Sequence, residues 1–100
     1  MRIIAQEAFN WTLLEAADGV YFSVLCDGPA MVQLVFRLTV GEADEVMRDL
    51  PRAATVFAEQ VRGARGAYGP RHLDDFTRRE DVRVAGLRWR KAQRQRADPG

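Results

Sequence analysis

The clearest pattern in the chain is a two-residue alternation between Met31 and Val40. Val32, Leu34, Phe36, Leu38 and Val40 fall on one side, and Met31, Gln33, Val35, Arg37 and Thr39 on the other. Successive side chains of a strand point to opposite faces. The spacing therefore predicts a strand with one face on a core and a second, mixed face that can be partly wet. Two further apolar stretches precede it. Phe9 to Ala16 contains Trp11, Thr12, Leu13 and Leu14, and Val20 to Cys26 sets Val20, Phe22, Val24 and Cys26 against Tyr21, Ser23 and Leu25. Asp18-Gly19 divides these two stretches and Asp27-Gly28-Pro29 divides the second from the third. Both are turn signals, and Asp-Gly is a strong one for a hairpin. Residues 2–7, around Ile3 and Ile4, are candidates for an additional edge strand. The expected beginning is a three- to four-stranded antiparallel meander.

The period then changes. Thr39-Val40-Gly41-Glu42 has the spacing of a capping box, in which a hydroxyl and a carboxylate each satisfy an orphan amide. Glu42, Asp44 and Glu45 follow where the helix dipole favours negative charge. The apolar stripe Ala43, Val46 or Met47, Leu50, Ala54, Phe57, Val61 has helical spacing. Pro51 interrupts it, and an interior proline removes a hydrogen bond and clashes with the preceding turn. Because the stripe keeps phase, either one kinked helix or two abutting helices is expected, laid across one sheet face. The core is expected between Val32, Leu34, Phe36 and Leu38 and Val46, Leu50, Phe57 and Val61. A glycine-rich stretch, Gly63 to Gly69, reads as a connector, and Pro70 can open a short helix through Phe76. Between Asp81 and Trp89, Val82 and Val84 share one parity and Leu87 and Trp89 the other, which a bulged C-terminal strand would explain. The fold class is thus α+β: a domain over residues 1–89 and a basic, solvated tail over 90–100.

Length and composition fit this reading. One hundred residues with 47% hydrophobic content suit one domain with one core. The apolar runs are too short to span a bilayer, and Met-Arg-Ile-Ile-Ala-Gln-Glu does not read as an export signal. A single cysteine, Cys26, excludes an internal disulfide and fits a reducing compartment, so the cytoplasm is expected. Fourteen of the fifteen basic residues are arginine, as a GC-rich genome would produce; selection for bidentate contacts with phosphate or carboxylate would favour it too. The net charge of +1 hides an asymmetry. Residues 1–61 carry −5 and residues 62–100 carry +6.

The candidate chemistry is sparse. Cys26, His72 and Asp74 or Asp75 are the residue types of a nucleophilic triad, but Cys26 lies among apolar neighbours with nothing cationic beside it in sequence. No catalytic residue, metal ligand or cofactor is assigned, and one histidine 46 positions from one cysteine is no metal framework. The glycine-rich connector follows a helix and lacks the ending of a P-loop. Two charged groups remain. Glu42, Asp44, Glu45 and Asp49 can form a protein-binding patch, although capping and solvation also account for them. Arg88, Trp89, Arg90, Lys91, Arg94 and Arg96 occur in a stretch without an acid, which suits single-stranded nucleic acid. The first expectation is a non-catalytic protein-binding module, in size and style similar to small bacterial toxin-neutralising (immunity-type) proteins. The alternatives are a nucleic-acid binder and a small enzyme with an unidentified site. A homodimer through an unpaired sheet edge is compatible with all three.

Overall fold

A computed structural model describes residues 1–26, 32–76 and 79–97. Its strands are β1 (Arg2–Glu7), β2 (Trp11–Ala16), β3 (Gly19–Cys26) and β4 (Val32–Arg37), arranged as an antiparallel meander in the order β1-β2-β3-β4. Leu13 lies opposite Phe22 and Phe22 opposite Phe36, so the apolar positions of three strands meet on one face. The expected edge strand is present, with an irregularity in its pairing between Ile3 and Ala5. The β2–β3 hairpin turns at Ala17-Asp18, one position before the Asp-Gly pair, and Gly19 opens β3 opposite Ala16. Gly19 has φ +147°, and a Cβ there would lie 2.7 Å from Arg37 Nε. Glycine serves the hairpin by its backbone freedom, just outside the turn itself. The turn signal at Asp27-Gly28-Pro29 lies outside the described residues.

The strand read from Met31 to Val40 stops at Arg37, because Thr39 starts a helix. Its hydroxyl accepts from the Glu42 amide at 3.2 Å, while the Glu42 carboxylate accepts from the Thr39 amide at 2.8 Å. This completes the capping box, and Val40 becomes an exposed first-turn residue of α1 (Val40–Arg48). Pro51 then separates α1 from α2 (Arg52–Gly63) rather than kinking one helix. It sits immediately before the first turn of α2, where a missing amide leaves no helical bond unmade. The Leu50–Pro51 peptide is cis. A one-turn α3 (Arg65–Tyr68) follows.

The core lies where the alternation placed Leu34, Phe36 and Leu38, and the Val32 side chain lies outside the described residues. Trp11, Leu13, Phe22, Val24, Cys26, Leu34, Phe36 and Leu38 meet Val46, Ala54, Phe57, Ala58 and Val61, with Leu50 and Tyr68 packed at the margin. Phe22 is the hub. Its ring centroid is 5.2 Å from Phe57, 6.0 Å from Trp11 and 6.4 Å from Phe36, distances at which aromatic pairs add to simple burial.

Two expectations fail on the C-terminal third. The short helix from Pro70 to Phe76 contracts to a 3-10 turn at Gly69–Arg71. His72 is extended because the chain leaves the helix to line the margin of β4. The Val35 amide donates to His72 Nδ1 at 3.0 Å, the Leu73 amide donates to Val35 O at 2.8 Å, and Arg71 Nη2 donates to Arg37 O at 2.8 Å. Residues 82–89 are not a bulged strand. They belong to α4 (Glu80–Ala97), which continues through the stretch set apart on sequence as a tail. Val82, Ala85, Gly86 and Trp89 recur at helical spacing and are all at least partly covered, whereas the parity of the valines imitated a strand. This helix and Phe76 cover part of the second sheet face, where Leu14, Tyr21 and Val35 form a smaller cluster with Ile3 and Val82.

Phe22 is fully buried among three aromatic partners. Phe22→Ala is therefore expected to cost about 3–5 kcal/mol, read as a lower urea midpoint with an unchanged slope.

Candidate interaction surfaces

The four acidic residues on α1 and at its C-cap do not share one environment. Glu42 is engaged inside the fold. Besides capping, it receives a two-pronged contact from Arg71, with Nη2 to Oε1 at 2.7 Å and Nη1 to Oε2 at 2.9 Å. Arg71 also lies over the Phe36 ring, 4.7 Å from its centroid. The hydrogen bonds from Arg71, and then those from Thr39, hold the Glu42 carboxyl below the ordinary range despite its partial burial. Asp44, Glu45 and Asp49 are exposed.

Glu45 and Asp49 border an open groove of about 260 Å³ between α1 and α2. Val46, Val56 and Phe57 supply its apolar part, with Arg52 and Gln60 completing the rim. Val56 is half exposed although it lies on a helix whose other side is in the core. Sequence reading passed over Val56 because it falls outside the inward stripe. Its signal was an apolar residue one turn from Arg52 on the solvent side. A larger depression of about 470 Å³ beside the β2–β3 turn holds two charged residues, Arg2 and Glu15, which pair with each other at 3.0 Å.

The second candidate group is carried by α4. Arg83, Arg88, Arg90, Lys91 and Arg94 are exposed around its solvent side, Trp89 is half buried, and the Arg96 side chain lies outside the described residues. Glu80 and Asp81 are confined to the first turn, and Asp81 pairs with Arg79 at 2.9 Å.

Residues absent from the sequence-based candidates gather on the sheet face that α4 covers in part. Beyond Leu14, Tyr21 and Val35 this face turns polar. Gln6 lies opposite Thr12, and Thr12 opposite Ser23. The Gln6 amide donates to Thr12 Oγ1 at 2.9 Å, and the Gln33 amide donates to Ser23 Oγ. Two depressions, of about 240 and 120 Å³, share Thr12, Ser23 and Gln33. Phe9 borders the first at the β1–β2 turn; Gly86 and Val82 of α4 border the second.

The constellation Cys26–His72–Asp74 is dispersed. Cys26 is buried in the cluster beneath α1 and α2, while His72 lies on the margin of β4 with its Nε2 3.6 Å from Asp74. Among the described residues no group of three or more His, Cys, Asp or Glu is placed to hold a metal. Among the same residues no helix is long and apolar enough to cross a membrane. No family model, no curated protein and no solved structure matches the chain.

The Glu42–Arg71 contact makes a pH prediction. A carboxyl whose folded pKa is depressed stabilises fully above its unfolded value, and that contribution is lost as the pH falls through the lower folded value. Glu42→Gln should thus cost about 1–3 kcal/mol near pH 7. The difference from the parent should shrink at acidic pH, below the ordinary carboxylate range, as the parent Glu42 takes up its proton. Urea titrations at neutral and acidic pH check this, and a constant difference would refute it.

Proposed function

We propose that the protein is a non-catalytic protein-binding module whose contact face is the groove between α1 and α2. The observation that carries this reading is the combination of half-exposed Val56 with a carboxylate-bearing rim at Glu45 and Asp49. Protein interfaces typically seat an apolar anchor at the centre and place polar groups around it. The rim sets two carboxylates against one cation, Arg52, so the complementary partner presents an apolar side chain flanked by arginine or lysine. Glu42 contributes less directly. Its carboxylate is committed to Arg71 and fixes where α1 begins. A toxin-neutralising role is the special case in which the captured partner is a toxin.

Affinity capture from the source cell tests the proposal. One stoichiometric protein is expected, and Val56→Asp should weaken its retention about tenfold or more by placing a charge in a desolvated centre. Glu45→Lys and Asp49→Lys should mainly slow association and reduce its salt dependence. Because all three side chains are exposed, far-ultraviolet circular dichroism should be unchanged. Capture of nothing specific at several salt concentrations would overturn the reading.

A further inference from the structure

We propose that the opposite sheet face, between the Phe9 turn and α4, is a binding site for single-stranded nucleic acid. Three observations converge on that occupant. The first is Phe9, which is 91% exposed and has φ +63°. A left-handed backbone is costly for an aromatic residue, and an exposed ring recovers nothing by burial. The surrounding structure nevertheless enforces this geometry. The Asn10 amide donates to Glu7 O at 3.0 Å, and the Leu25 amide to Asn10 O at 2.9 Å. Arg62 rises from α2 to hold Leu25 O at 2.9 Å, Asn10 O at 3.3 Å and Asn10 Oδ1. A strained turn pinned so heavily holds a free aromatic ring beside a depression, where a base can stack.

The second observation is the floor. Gln6, Thr12, Ser23 and Gln33 cross the sheet as amides and hydroxyls, with Leu25 beside them. Each glutamine amide directs one N–H at a hydroxyl. A primary amide retains a second N–H and carbonyl lone pairs, the groups that read the edges of unpaired bases. Among the described residues that line this depression Glu7 is the one carboxylate; hydrogen bonds from Asn10 and Thr55 hold it ionised, and it sits at the Phe9 end.

The third observation is the charge on α4, the helix that borders the far end of the face. From Val82 to Arg94 α4 carries Arg83, Arg88, Arg90, Lys91 and Arg94 and no acid. Gly86 lines the depression, and Arg90 follows it one turn later on the same helical face. These cations line neither depression and stand on α4 beyond the rim, where strand phosphates would pass; stacking ring, polar floor and flanking cations are the parts by which proteins hold single strands. An acidic peptide would use the cations and have little use for the ring or the floor.

Fluorescence anisotropy with labelled oligouridylate and oligothymidylate of about 12 nucleotides tests the site. Binding should weaken steeply with salt, and Arg90→Glu with Lys91→Glu should flatten that dependence. Phe9→Ala should lower affinity by about 5- to 150-fold. Phe9→Gly should lower it comparably while holding or raising the melting temperature, since glycine accepts the backbone geometry. That opposite movement separates a binding role from a structural one. Val56→Asp, on the other layer, should leave oligonucleotide binding unchanged. Absence of binding at low salt, equal binding of the Phe9 variants, or equal competition by a duplex or by oligoglutamate would overturn the proposal.

Discussion

Strand β3 cannot be left wet on either side, and the rest of the molecule is arranged around that constraint. Phe22, Val24 and Cys26 are buried on one face and Tyr21 and Ser23 on the other. A four-stranded sheet with such a central strand needs two covers. The chain supplies α1 and α2 over the more apolar face, then passes along β4 and returns with Phe76 and α4 over the second. The second cover is incomplete. It shields Leu14, Tyr21 and Val35 and leaves Gln6, Thr12 and Gln33 at an open end, where residue types shift from apolar to polar in step across the strands.

The first cover was legible from sequence because period two and period 3.6 are both sustained there and the capping box marks the change between them. The two-helix outcome at Pro51 was one of two readings the pattern allowed. The second cover was harder to read. Val82 and Val84 imitate a strand, and Gly86 looks like a bulge, yet Glu80 and Asp81 in the first turn and the spacing Val82, Ala85, Gly86, Trp89 describe a helix. Tertiary burial of a narrow stripe outweighed β-propensity in a segment otherwise too polar to show its period.

The candidate surfaces divide along the same line. Charge is visible in sequence, so the acidic start of α1 and the basic stretch of α4 could be found there. That Glu42 is committed to Arg71 could not, because the two are 29 positions apart and meet only after the turn at Gly69–Arg71 forms. Phe9 was equally hidden. Residue type does not encode the sign of φ, and the arginine that anchors its turn lies 52 positions from Asn10.

The margin of β4 has a consequence for how copies of this chain coexist at high concentration. The outward hydrogen-bonding groups of Val35 are occupied by His72 and Leu73, and the carbonyl of Arg37 by Arg71. A strand from a neighbouring molecule finds no free ladder along that stretch. The opposite margin, β1, is interrupted between Ile3 and Ala5. Open sheet edges are the usual templates for uncontrolled polymerisation, and those that persist in proteins are commonly blocked or bent. Arg71, His72 and Leu73, from a segment whose sequence reads as a short helix, act as a selvedge, closing the sheet against indefinite growth.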